Sequence, residues 1–380
     1  MTDTRLGRLM EAEMRDQPRV LAALADRFTR IGSEVAELFT RAGEGFADSS
    51  DGGGARSNHT AAGDPAGVAD SPVGVAEGPV GVAFLARGSS DNAALLGRYA
   101  VELQTGLPTC LVAPSIATAY GREPAGFRGW LLIALSQSGR TPEIVDLTRR
   151  YIAAGAKVVA VTNDPDSALA RIADYTVALE AGPERAVPAT KTVTAQMLAV
   201  LAIASGLGAG GMTQLEAGEL PAAAADLLAD GGAVERAAEL LATVDRLAVV
   251  GRSACYPAAL ETALKLQETT GLMAHGFSSA DFRHGPIVVT GPGAPALLMA
   301  GSGPADTDTL NLREPLSARY APIVLAGTAT EAPITWPALG NLGECLLATI
   351  RGQQLALAVA RELGIDADHP TGLAKVTLTH

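Results

Sequence analysis

Cysteine is scarce in this chain. Its 380 residues include three, Cys110, Cys255 and Cys345, and no two stand in a CxxC pair. Neither a disulfide framework nor a zinc cluster is indicated, and a reducing, cytoplasmic setting is the default. Positive charge is short as well: 29 Lys and Arg stand against 41 Asp and Glu, for a formal charge of −12. That balance argues against a broad basic surface, and so against nucleic acid as a partner. An anionic ligand would have to be drawn in by a local site, because the overall field repels it. No apolar run reaches the ~18 residues of a membrane span without a charge or turn residue breaking it, so no membrane association is expected. The opening MTDTRLGRLMEAEMRD is charged and lacks the apolar core of a signal peptide.

What the chain has is apolar bulk. Hydrophobic residues make up 48% and charged ones 18%, which supports a sizeable core and rules out wholesale disorder. The length suits two domains or three, at roughly 100–200 residues each. Residues 1–42 read as helical. Leu6, Leu9, Met10 and Met14 recur at three- and four-residue steps, and Pro18 suits the first turn of a second helix bearing Val20, Leu21, Leu24 and Phe28. Residues 43–78 are rich in Gly, Ser, Asp and Pro and read as a flexible loop.

Strands then alternate with helices. Val80–Ala86, Thr109–Val112, Trp130–Leu135, Lys157–Thr162 and Tyr175–Leu179 read as strands, with helices over 93–103, 141–154 and 190–203. This predicts an α/β fold, a parallel sheet flanked by helices in a flavodoxin-like three-layer sandwich. The pattern restarts with strand Leu247–Val250, helix Ala258–Thr270 and strands Ala296–Ala300 and Ile323–Ala326. The turns RGSS at Arg87 and GRSA at Gly251 each end a Val/Leu-rich strand and open an Ala-rich helix, which points to two copies of one unit. The expected division is a first unit over 79–207, a linker over 208–232, a second unit over 233–365 and a tail over 366–380.

Four segments carry candidate chemistry. SQSGRT, Ser136–Thr141, follows a buried strand and precedes a helix. There the hydroxyls of Ser136, Ser138 and Thr141, the Gln137 amide and the unpaired N–H groups of the helix start would cradle a phosphate, and Arg140 would add a cation. The same residues also fit a polar turn capped by Thr141. In ALETALKLQE, Glu261, Lys265 and Glu268 share one helix face, either as a solvated charged stripe or with Glu268 as a general base oriented by the other two. His284, one of five histidines, sits in SSADFRHGP, where it suits proton transfer to a sugar oxygen or a plain surface role. Lys375 lies in the tail TGLAKVTLTH, where a solvated lysine is the usual case.

In this order the segments resemble the sugar isomerase (SIS) family. The likeness is to the double-SIS isomerase half of glucosamine-6-phosphate synthase and to stand-alone SIS-type aminosugar deaminases. It runs through MRDQP at Met14, ARGSS, SQSGRTPE, TNDPDS at Thr162, AGPERAVPATKT at Ala181, GRSACYPAALETALKLQE, FRHGP and LAK at Leu373. The resemblance implies tandem SIS domains that hold a phosphorylated aminosugar through Ser136, Gln137, Ser138 and Thr141, with Ser90 and Val187 against the sugar. Glu268 would move a proton between C1 and C2, assisted by Glu261 and Lys265. His284 would open the ring from the neighbouring subunit of a homodimer. Lys375 would act near the open-chain carbonyl, on a tail that closes over the site. No cofactor and no metal is implied.

The activity implied is a glucosamine-6-phosphate deaminase. Alternatives are a phosphosugar isomerase, a fructosamine-phosphate deglycase, or a non-catalytic sugar-phosphate-binding regulator. Three departures from the family pattern stand out. The chain opens MTDT where the synthase has a glutaminase domain with an N-terminal cysteine, so glutamine-dependent synthesis is not expected. PATK puts Ala189 where the family has a serine. The second copy reads AGSGPADTDT from Ala300, with Gly301 for the first serine and Asp306 and Asp308 to repel a phosphate, so one active site per chain is expected.

Overall fold

The computed structural model describes residues 6–40, 78–208 and 211–375. Apart from Gly78, the expected loop over 43–78 lies outside the described residues, as do 376–380 of the tail. Three helices, rather than two, open the chain: α1 (Arg8–Arg15), α2 (Gln17–Ala25) with Pro18 in its first turn, and α3 (Phe28–Thr40). Phe28 starts the third helix instead of extending the second. Met10, Met14, Val20, Leu21, Leu24 and Phe28 are buried, as their spacing predicts, whereas Leu6 and Leu9 are half-buried.

The first unit runs β1 (Gly81–Leu85), α4 (Ser89–Thr105), β2 (Thr109–Leu111), α5 (Ser115–Thr118), β3 (Trp130–Leu135), α6 (Pro142–Ala153), β4 (Lys157–Thr162), β5 (Tyr175–Ala178) and α7 (Lys191–Leu207). Two helices follow, α8 (Gln214–Ala229) and α9 (Gly232–Leu241). The second unit runs β6 (Arg246–Gly251), α10 (Cys255–Thr270), β7 (Met273–Ser278), α11 (Ser279–Arg283), β8 (Ala296–Ala300), α12 (Asp306–Leu310), α13 (Arg313–Ser317), β9 (Ile323–Gly327), β10 (Ile334–Thr335) and α14 (Asn341–Glu362). Among the described residues no helix is long and apolar enough to cross a membrane.

Each unit holds a five-stranded sheet, ordered β2-β1-β3-β4-β5 and β10-β9-β8-β6-β7. Every pairing is parallel. Counted within its own unit, the second sheet repeats the first, so the two copies share one topology. The central strands are buried along their length because helices cover both faces. In β1, Val82 and Phe84 face the large core shared with α4, α7, α10 and α14, while Ala83 and Leu85 face a separate cluster with Ile144 and Leu147 of α6. Ala248, Val250 and Leu298 form the corresponding outer cluster of the second sheet.

The segment read as a linker, 208–232, instead carries α8, a helix with a Thr213–Glu216 capping box. Its buried Leu220, Ala224 and Leu227 join the common core. Strands β7 and β10 and helix α14 are likewise not expected from the sequence pattern. α14 is buried on nearly every side, Glu344, Arg351 and Gln353 included, so no amphipathic period marks it.

Helices α3 and α7 meet at a pair of glycines. A Cβ on Gly206 would lie 2.1 Å from the Gly32 carbonyl oxygen, and one on Gly32 would lie 2.9 Å from the Ala202 oxygen. Helix propensity alone favours Ala over Gly by about 1 kcal/mol. The backbone contact reverses that sign, so Gly206→Ala is expected to destabilise the fold by about 1–3 kcal/mol, read as a lower urea midpoint.

Candidate active site

In a sheet of order 2-1-3-4-5 the connections after β1 and β3 leave in opposite directions, and a crevice opens outside the carboxyl ends of those strands. The chain places its two serine-rich turns there. Arg87, Gly88, Ser89 and Ser90 follow β1, and Ser136, Gln137, Ser138 and Thr141 follow β3; both groups line a cavity of about 360 Å³. Glycine is required in each turn. Gly88 has φ +59, and Gly139 has φ +60 with a virtual Cβ 2.1 Å from Ser167 Oγ.

Thr141 occupies the N-cap position of α6, yet its side chain makes no capping bond. Its hydroxyl lies 3.5 Å from Ser136 Oγ, inside the cavity lining. The capped-turn reading therefore fails for this hydroxyl. Ser136 Oγ accepts from Gly139 N at 3.2 Å, which shapes the turn. The first turns of α4 and α6 both open onto the cavity, and their N–H groups and dipoles favour an anion. Arg140, the expected cation, is exposed, pairs with Asp164 at 2.7 Å and is not among the residues lining the cavity. The guanidinium on the cavity wall is that of Arg87, which makes two bonds of 2.9 Å to the buried Glu143.

The opposite wall comes from the second unit and the tail. Glu268 of α10 lines the cavity, together with Val187, Ala189, Leu373, Ala374 and Lys375. Behind Glu268 the charged stripe turns inward. The Lys265 and Glu261 side chains are 0% and 1% exposed, whereas Leu260 and Leu264 on the same helix are only half-buried. Lys265 Nζ bonds Glu268 Oε2 and lies 3.5 Å from Glu261 Oε1. Asn92 of α4 donates to Glu261 Oε2 at 2.6 Å.

Burial pushes Glu261 up, against the pull of Lys265. For Lys265 burial works the other way, but the two carboxylates outweigh it and hold the ammonium charged. Glu268 is thus a partly solvated carboxylate, 24% exposed, with one oxygen fixed by a buried cation. That arrangement suits a base of defined orientation.

Ser90 Oγ donates to Gln196 Oε1 of α7 at 2.9 Å. His284 is exposed and is not among the residues lining the cavity, so the single chain does not bring it to the other candidates. Glu184 and Arg87 also stand at the cavity wall. Their types alone gave no signal, because each acts through a partner distant in sequence. Among the described residues no group of three metal-ligating side chains is placed to hold an ion.

In the second copy the equivalent turn is filled by the protein itself. Glu344 of α14 accepts from Ser302 N at 2.7 Å, from the Ser302 hydroxyl and from Leu339 N at 3.2 Å. Asp306 accepts from Gly303 N at 2.9 Å. Two carboxylates thus bind the turn's N–H groups that an anion would otherwise meet.

Behind the first site, Glu13 and the MRDQP motif that follows it tie the N-terminal helices to the cavity wall. Glu13 accepts from Arg185 N and Ala186 N, Asp16 pairs with Lys191 at 2.9 Å, and Gln17 links Thr194 at 2.7 Å to Gln353 at 3.0 Å.

The family profile described as SIS domain matches residues 81–206 and 240–332. Glutamine–fructose-6-phosphate aminotransferase (isomerizing) of Zymomonas mobilis is 33% identical over 310 residues, which cover 77% of this chain and 51% of that protein. The protein of the same name from Mycobacterium tuberculosis is 35% identical over 314 residues, covering 77% and 50%. The chain spans about half the length of these curated relatives. A solved structure from Silicibacter pomeroyi, of a protein proposed to be a phosphosugar isomerase, is 27% identical with a TM-score of 0.77, over 95% of this chain and 99% of that one.

Asp16 gives the scaffold a measurable signature. The Arg19 hydrogen bond, opposed by burial and helped by Lys191, lowers its carboxyl from 3.8 to about 2. A depressed carboxyl contributes stability above its ordinary value and loses it as pH falls through the folded one. Asp16→Asn should therefore be less stable than wild type at neutral pH, and its stability should fall less steeply from about pH 4 to pH 2 in urea titrations.

Proposed function

The chain belongs to the SIS domain family, and from that premise we propose that it isomerises phosphorylated aminosugars, turning glucosamine 6-phosphate and water into fructose 6-phosphate and ammonia. The observation that carries the reading is one cavity in which an anion seat from the first unit faces the Glu268 carboxylate from the second. The relatives' name adds support, since it joins fructose 6-phosphate to an amino group and to isomerisation.

In this reading the phosphate sits on Ser136, Gln137, Ser138 and Thr141, with Arg87 adding positive charge. Ser90 and Val187 contact the sugar. With the ring open, Glu268 removes the C2 proton, giving an enolamine, and returns a proton to C1. The C2 imine that results takes up water, and ammonia leaves. Lys265, backed by Glu261, holds one oxygen of Glu268 and so aims it, and Lys375 stands near the open-chain carbonyl. A placed base of this kind supplies roughly 10²- to 10⁴-fold.

His284 is exposed in the single chain, so its ring-opening role requires a homodimer in which it completes the partner's cavity. Ala189 removes one hydroxyl from the sugar side. The ammonia readout therefore decides between deamination and isomerisation or deglycation.

The purified chain is to be incubated with glucosamine 6-phosphate, fructose 6-phosphate and fructosamine 6-phosphates, with ammonia and ketose measured. Ammonia and fructose 6-phosphate from the first are expected, and no product from any would overturn the enzymatic reading in favour of a sugar-phosphate sensor. Glu268→Gln should lower turnover at least ~100-fold while inorganic phosphate still binds. Co-expressed Glu268→Gln and His284→Ala subunits, each inactive alone, should regain about a quarter of wild-type activity, because half the dimers carry one intact site. No recovery in a demonstrated mixed dimer would place His284 outside the chemistry.

A further inference from the structure

The C-terminal segment is tied both to the first unit and to α1. Lys375 Nζ donates to Glu184 Oε2 at 2.8 Å. Val187 N donates to the Asp368 carbonyl at 3.1 Å. The Asp368 carboxylate accepts from Leu9 N and Met10 N in the first turn of α1, each at 2.8 Å, and Asp366 accepts from Gly7 N at 3.1 Å.

Glu184 is itself immobilised. Its side chain is 0% exposed, and its carboxylate also accepts from Thr190 N at 3.0 Å, Thr192 N at 3.1 Å and Thr192 Oγ1 at 2.7 Å. It therefore stands at the start of α7 as an anion that the dipole favours. Burial alone would raise its pKa, but the Lys375 charge and the bonds from Lys375 and Thr192 outweigh burial and hold the carboxyl below its ordinary value. A fixed, buried carboxylate gives a flexible lysine one favoured place for its ammonium. That place is on the wall of the cavity that Glu268 also lines.

We propose that Glu184 is a positioning residue: it holds Lys375 on the cavity wall before any ligand enters, and with Asp368 it makes residues 366–375 a preformed wall rather than a lid that closes on substrate. The catalytic arm of this proposal rests on the aminosugar-phosphate reading, whereas the latch itself does not.

The test has an arm for each. Wild type, Glu184→Gln, Glu184→Asp and Asp368→Asn are treated with trinitrobenzenesulfonate at one pH, and modification of Lys375 is followed by peptide mass spectrometry. Lys375 should react several-fold faster in Glu184→Gln and in Asp368→Asn than in wild type, with Glu184→Asp between. With glucosamine 6-phosphate, Glu184→Gln should lower kcat about 100-fold and leave KM within about threefold, the pattern of a misplaced group rather than lost binding. Unchanged Lys375 labelling overturns the latch, even in a chain that turns over no aminosugar. Faster labelling with unchanged kcat overturns the positioning role. Should Glu184→Gln fail to fold, Asp368→Asn carries both arms, and its wild-type labelling would overturn the proposal.

Discussion

Lys265 has no access to water, and its charge is balanced within the protein. The two carboxylates that balance it, Glu261 and Glu268, lie on the same helix, one buried and one at the cavity wall. Removing one partner of such a buried set costs about 3–5 kcal/mol, because the remaining charge is left without compensation. The arrangement forces α10 to turn its charged stripe inward and to leave Leu260 and Leu264 half-covered, the reverse of an ordinary surface helix. Asn92 of α4 completes the set, so the same constraint joins the two units where the cavity opens.

The units share a topology but not a chemistry. At the switch point of the first sheet, the serine-rich turn leaves the Thr141 hydroxyl free of helix capping. In the second sheet the corresponding N–H groups are taken by Glu344 and Asp306. A turn whose donors are already satisfied by buried carboxylates offers an anion only repulsion. The second unit instead contributes through α10, which reaches across to the first unit's cavity, and through α14, whose burial on nearly every side anchors α10 from behind.

The ends of the described chain converge on this cavity from the other direction. α1 meets the tail through Asp366 and Asp368, and it meets the 184–187 loop through Glu13. The N-terminal helices are thus more than an amphipathic cover: their polar residues fix the loop that presents Glu184 and Val187.

Much of this was legible in the residues. Strand periodicity and buried Val/Leu runs gave β1, β3, β4 and β8 nearly to the residue, because strands covered on both faces must be continuously apolar. The turn SQSGRT declared itself because hydroxyls beside a glycine at a helix start are a local pattern. Other features carried no local pattern. α8 lies between glycines and reads as a linker, and α14 is buried on nearly every side, so no exposed polar face sets its period. Whether the Glu261, Lys265 and Glu268 stripe faced solvent or protein was open in the sequence, since helical spacing fixes a shared face and not what covers it. Only the packing of α10 between the two units decided that. The roles of Arg87 and Glu184 were likewise set by Glu143 and Lys375, partners that a folded backbone brings together and a linear spacing does not. The residues alone carry most of the strands, the doubled unit and the candidate groups; which charges are desolvated together is set by folding, because burial is a property of the surroundings and not of the residue.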